Sequence, residues 1–213
     1  MKKHIVCFGD SNTHGYCAIP SDCEDGGNRF SERERWTCLL QEGLGDDYLV
    51  LEEGLGGRTT VFEDPLHEGM SALSVAAPIL LSHEPVDLLI IMLGTNDTKE
   101  RFSANAAAIA AGMERLIRKC RQTDCWNGKE PQILVICPPP MGEGFHDDVM
   151  GEGCREKSLA LPGWMEAAAR RTNARFLNAA DCEFNPADHM DLSRKGHAQL
   201  AALLVPLVRS ILG

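Results

Sequence analysis

The chain has 213 residues and a formal net charge of −10, from 31 acidic against 21 basic side chains. That balance argues against nucleic acid or an anionic membrane as a partner. A composition that is 44% hydrophobic and 24% charged is that of an ordinary globular protein, long enough to form one domain over residues 1–213 with a full core. Met1-Lys2-Lys3-His4 leads into only a short apolar run before Gly9, less than a secretory h-region needs. No stretch approaches the ~20 apolar residues of a membrane span. Nine cysteines are an odd number with no Cys-x-x-Cys pair, so neither a disulfide framework nor a zinc site is expected. A cytoplasmic protein with reduced thiols and a small-molecule partner is the expectation; association into a homo-oligomer is left open.

In chain order, apolar runs at Ile5–Phe8, Leu49–Glu52, Leu88–Leu93, Ile133–Cys137 and Arg175–Leu177 read as strands. Helical periodicity occurs at Arg35–Leu44, Ala104–Arg121, Cys154–Arg171 and Arg194–Leu212. Alternation of the two predicts βαβ units, hence a three-layer α/β/α sandwich on a five-stranded parallel sheet of flavodoxin-like order 2-1-3-4-5. Two long loops, Asn12 to Glu34 and Pro138 to Gly153, each follow the carboxyl end of a strand, where ligands bind in such sheets. The Glu32–Arg35 charge run reads as a solvated helix start, Trp36 as core, and His67, His83 and His146 as solvated.

Three strands end in polar punctuation. The first ends in Gly9-Asp10-Ser11-Asn12, placing a hydroxyl at the sheet edge, where a serine becomes a nucleophile if a base meets it. The second runs out through Glu52-Glu53-Gly54-Leu55-Gly56-Gly57-Arg58-Thr59-Thr60, whose glycines free backbone N–H groups to face a ligand. The third ends in Gly94-Thr95-Asn96-Asp97, offering an amide that can donate to a developing oxyanion. Each alone is also an ordinary turn or helix cap; together they are far more specific.

With these motifs the chain resembles the SGNH hydrolase superfamily of GDSL-type esterases, in its bacterial arylesterase and acyltransferase branch. The resemblance runs from Ile5 through Gly94-Thr95-Asn96-Asp97 to the C-terminal segment; Asn12 stands where the family often has leucine. It implies a serine esterase acting on small aryl or acetyl esters, without metal or organic cofactor. Ser11 would be the nucleophile, and the Ser11 and Gly57 N–H groups with the Asn96 side chain the oxyanion hole.

The family's closing Asp-x-x-His is altered. Asp188-His189-Met190-Asp191 keeps the aspartate at Asp188 and puts Asp191 at the histidine position. An ordinary aspartate is a weaker proton acceptor than histidine by roughly 2.6 pKa units, or ~3.5 kcal/mol. Desolvation narrows that gap. Three readings stand: His189 takes the role, Asp191 acts as a poor base, or triad catalysis is absent and the scaffold binds a ligand without efficient turnover. His197, on the following helix, is not promoted to the triad. No phosphate-binding glycine signature supports a nucleotide binder.

Overall fold

A computed structural model describes residues 1–213. Five strands, β1 (Lys3–Gly9), β2 (Tyr48–Gly54), β3 (Leu88–Met92), β4 (Ile133–Cys137) and β5 (Arg175–Asn178), pair in parallel in the order β2-β1-β3-β4-β5. This is the expected 2-1-3-4-5 sheet. Six helices accompany it: α1 (Ser11–His14), α2 (Trp36–Leu44), α3 (Ala72–Ser82), α4 (Ala106–Gln122), α5 (Cys154–Arg171) and α6 (Arg194–Leu212). No helix is long and apolar enough to cross a membrane.

The central strands are apolar on both faces because helices cover both. Successive side chains alternate between two cores, as the two-residue period of a strand demands. Val6, Phe8, Leu89, Ile91, Ile133 and Val135 pack on the side of α3, α4 and α5. Ile5, Cys7, Leu88, Ile90, Leu134 and Ile136 pack on the side of α2 and α6. Each such aliphatic side chain contributes roughly 1.5–3 kcal/mol by leaving water. Helix ends are set locally: the Asn105 side-chain Oδ1 accepts from Ala108 N at 2.9 Å at the start of α4, and Ser193 Oγ from Gly196 N at 3.1 Å at the start of α6.

One helix lies outside the expected pattern, and one expectation is corrected. α3 is not foreseen by the periodicity, since Ala72–Leu81 is apolar nearly all round and Pro78 at its centre reads as a break. Burial of Ala72, Ala76 and Leu80, four residues apart on one face, holds the helix despite the proline. The Glu32–Arg35 run is solvated only in part. Glu34 and Arg35 are buried, and Arg35 grips Glu52 of the edge strand β2 through Nε and Nη2, both at 3.0 Å. A bidentate charge-assisted pair of this kind pins α2 to β2.

The register levels the strand ends. Gly9 lies opposite both Gly54 and Met92, so the segments after β1, β2 and β3 leave the sheet at one edge. There the α1 turn crosses the end of β2 at very close range. A Cβ on Gly54 would stand 2.2 Å from His14 N and 2.5 Å from the Thr13 carbonyl carbon. Neither is a side-chain atom that can rotate away. Gly54→Ala is therefore expected to destabilise the protein by about 1–3 kcal/mol or more, read as a lower urea midpoint at unchanged m. Gly163→Ala, in the exposed face of α5 with nothing within 4 Å, should instead gain up to about 1 kcal/mol.

Candidate active site

Ser11 opens α1 directly after β1. The turn forms because Asp10 caps it, its Oδ1 accepting from Asn12 N at 3.0 Å, and because Gly15 ends it in the left-handed region at φ 84°. Ser11 Oγ donates to Asp191 Oδ1 at 2.7 Å. Those two residues lie 180 positions apart, and a neighbouring bond of the same span brings them together: Leu192 N donates to Asn12 Oδ1 at 2.7 Å. Asn12 is a site residue that sequence reasoning did not assign. Its signal was available, a polar side chain at a position where the resemblance expects leucine.

The segment carrying Asp191 is folded back on itself. Asn185 N donates to Asp191 O at 2.6 Å, and Ser193 N to Glu183 O at 3.0 Å. Asp188 Oδ1 accepts from Met190 N at 2.9 Å and Asp191 N at 3.1 Å, closing the Asx turn that presents Asp191. Asp191 is only 2% exposed. Burial, reinforced by the neighbouring Asp188 charge, pushes its pKa well above the usual carboxylate range, against the lowering effect of the Ser11 hydrogen bond. Asp188 is raised too, mainly by burial.

The histidines lie elsewhere. His189 has φ 54°, and its ring sits 5.9 Å from Phe184 above Gly142 and Gly144; no hydrogen bond joins it to Ser11. His197 is buried edge-on to Phe30, and its Nδ1 accepts from Trp36 N at 3.2 Å. Burial lowers its pKa to about 3, so it is neutral. Trp36 is core, as expected, but its Nε1 also donates to Asn12 O at 3.1 Å, bracing the Ser11 turn. His67 and His146 are exposed, whereas His83 bonds Glu53 Oε1 at 2.6 Å instead of being simply solvated.

Gly57 and Asn96 stand at the same edge as Ser11. Gly57 has φ 88°, a conformation that turns its N–H out of any ladder, and that N–H makes no hydrogen bond within the chain. Asn96 begins a 3-10 turn (Asn96–Thr98) after β3, and its buried amide nitrogen has no partner in the protein. A buried N–H₂ left unmatched is costly unless a ligand answers it. Next to it, Asp97 ties this turn to the β2 loop, accepting from Thr60 N at 2.9 Å and from Thr60 Oγ1. Arg58 closes the same edge, donating to Gly9 O at 2.9 Å and to Glu53 O, with its guanidinium 4.7 Å from the centre of the Phe8 ring. No group of three His, Cys, Asp or Glu side chains is placed to hold a metal ion.

The protein is thus a three-layer α/β domain with a hydroxyl and unmatched N–H donors at the carboxyl edge of its sheet, the edge at which such sheets bind ligands. The chain belongs to the GDSL-like lipase/acylhydrolase family, whose model matches residues 7–200. It is similar to the native aryl esterase of M. smegmatis, at 35% identity over 99% of this chain and 100% of that one, with a TM-score of 0.89. It is likewise similar to Est24, a carbohydrate acetylesterase from Sinorhizobium meliloti, at 33% identity, 99% and 100% coverage and a TM-score of 0.88. A lipase/acylhydrolase from Enterococcus faecalis shares the fold at 22% identity, 99% and 97% coverage and a TM-score of 0.69. No curated protein matches the chain.

The carboxyls beside Ser11 make stability depend on pH. Burial raises Asp10 from 3.8 to about 7, so between about pH 4 and 7 the folded protein holds a proton that the unfolded chain has released. Stability from this group is present at low pH and is lost as pH rises through that window, at up to about 1.4 kcal/mol per pH unit for one proton. Asp10→Asn keeps an acceptor at the cap and removes the titration. Relative to that variant, the wild type should lose stability steadily from about pH 4 to 7, measured by urea unfolding at each pH.

Proposed function

We propose that the protein hydrolyses small carboxylic esters, aryl or acetyl, through an acyl-enzyme at Ser11, with Asp191 as the general base in place of histidine. The observation that carries this reading is the 2.7 Å hydrogen bond from Ser11 Oγ to the buried Asp191 carboxylate. Family membership supports ester hydrolysis, and the similar aryl esterase and carbohydrate acetylesterase support the choice of small acyl groups.

In this mechanism the Ser11 oxygen attacks the ester carbonyl carbon as its proton passes to Asp191. The carbonyl oxygen becomes an oxyanion and takes hydrogen bonds from the Ser11 and Gly57 N–H groups and the Asn96 amide. Collapse breaks the bond to the alcohol or phenol, which leaves with the proton from Asp191. Water, or a second alcohol in acyl transfer, then attacks the acyl carbon and gives its proton to Asp191; collapse breaks the bond to Ser11 Oγ, which takes that proton back as the acid or new ester leaves. Asp188 positions this base through the Asx turn and keeps its proton affinity high by like charge.

Burial is what makes an aspartate serviceable here. An ordinary carboxylate is too weak a base to take a serine proton efficiently, and a raised pKa recovers part of the deficit. The same shift means that Asp191 must lose its proton before it can act, so the rate rises with pH through its elevated pKa.

The test is p-nitrophenyl acetate hydrolysis against an identically prepared Ser11→Ala control. Slow Ser11-dependent release is expected from the wild type, falling ~10²–10⁴-fold in Asp191→Asn. Asp191→His should raise the rate and move the pH dependence toward the imidazole range. His189→Ala should leave it within about threefold, since general-base catalysis needs hydrogen-bond reach. Loss of activity in His189→Ala would transfer the role of base to that residue. Release equal in wild type and Ser11→Ala would favour a ligand-binding protein on the hydrolase scaffold.

A further inference from the structure

Lys99 is a buried cation that this mechanism does not use. It follows Asn96 by three residues, at the end of the 3-10 turn Asn96–Thr98, where side chains at i and i+3 project to the same side. Its ammonium lies 4.0 Å from where a Cβ on Gly57 would stand, which puts it on the side of the sheet edge that carries Gly57. Lys99 is only 5% exposed.

Its charge is not consumed by its one partner. Lys99 Nζ makes a single hydrogen bond, to Asp64 Oδ2 at 3.2 Å. Asp64 is already gripped by Arg101, Nε to Oδ1 at 3.1 Å and Nη2 to Oδ2 at 3.0 Å, and accepts from Leu66 N at 3.0 Å. One carboxylate thus stands between two cations. An ammonium carries three N–H donors, which leaves two without protein partners in a nearly dry position. A second buried carboxyl nearby, Asp97, takes its hydrogen bonds from Thr60 N and Oγ1 and not from Lys99, though it lies close enough to feel the Lys99 charge.

A buried charge with spare donors is expensive unless it is used. Resting on the esterase reading above, we infer that Lys99 is a positioning residue of the oxyanion side: its field stabilises the negative oxygen held by Gly57 and Asn96. The site then has a buried cation with unused N–H donors on the side where the oxyanion grows, and the Asp191 carboxyl on the side that accepts the proton. The charge appears only as the reaction proceeds, so the contribution falls on the transition state more than on the bound ester.

Lys99→Met is the direct variant, an apolar chain of similar length that leaves the Asp64–Arg101 pair intact; Lys99→Gln is its polar counterpart. With p-nitrophenyl acetate, kcat should fall about 10–100-fold while KM stays within about threefold. A second measurement does not depend on turnover: binding of methylphosphonate, a tetrahedral anion, followed by titration at mildly acidic pH in the Ser11→Ala background. Removing Lys99 there should weaken it at least about fivefold. An unchanged kcat, a change confined to KM, or methylphosphonate binding indifferent to Lys99 overturns the inference. If both variants fail to fold by circular dichroism, Lys99 serves the fold and the inference is likewise overturned. Absence of Ser11-dependent turnover in the wild type counts against the esterase reading alone, and methylphosphonate then decides the role of Lys99.

Discussion

Two hydrogen bonds between adjacent residue pairs, Ser11 to Asp191 and Leu192 to Asn12, are the contacts on which the site depends. They join the first turn of the chain to a segment 180 residues later. Neither end is rigid by itself: α1 has four residues, and the closing segment is a loop held by its own backbone bonds. Each end is instead braced by its surroundings. Trp36 supports Asn12 from the core, and the start of α6 anchors the residues just after Leu192. A net hydrogen bond is worth only about 0.5–1.5 kcal/mol, so this pair positions groups that the two cores have already brought near.

The same closeness accounts for the electrostatics. Asp10, Asp188 and Asp191 gather around the Ser11 turn, and burial raises the pKa of all three. Arg58, Lys99 and Arg101 lie toward the β2 and β3 loops, together with the carboxyls Asp64 and Asp97. The distribution of charge across the sheet edge comes from which loops leave which strands. Its effects stay strong because almost every group involved is shielded from water, where screening would flatten them. The Asp191 carboxyl has its proton affinity set by burial and by this surrounding charge to a degree that an exposed group would not.

The resemblance leads one to expect leucine at position 12 and histidine at position 191, and the structure makes Asn12 and Asp191 neighbours through the Leu192 backbone. An apolar side chain at position 12 has no acceptor to offer Leu192 N. Asn12 and Asp191 thus belong to one local arrangement, in which the closing segment is tied directly to the serine turn.

The strands, their parallel order and the three sheet-edge motifs were all legible from residue pattern, because apolar runs of strand length alternating with periodic helices admit few topologies. The segments holding Ser11, Gly57 and Asn96 stood out because each follows a strand and parallel strands end on one side; the choice of Gly57 among its neighbouring glycines, and the roles of all three, came from the family resemblance. α3 was hidden, since an apolar run without a stripe and with a central proline carries no period to read; only contact with the sheet makes it a helix. Sequence also left Asp191 and His189 as rivals, two residues apart and equally near in the chain. Tertiary structure separates them, because His189 adopts a left-handed backbone and turns its ring onto Phe184 while Asp191 faces Ser11. Lys99 carried no signal in the sequence; the fold buries it close to Gly57. Residue order determined which strands and motifs exist; the direction of a side chain at a loop, and the proton affinity that burial confers on it, are properties of the packed whole.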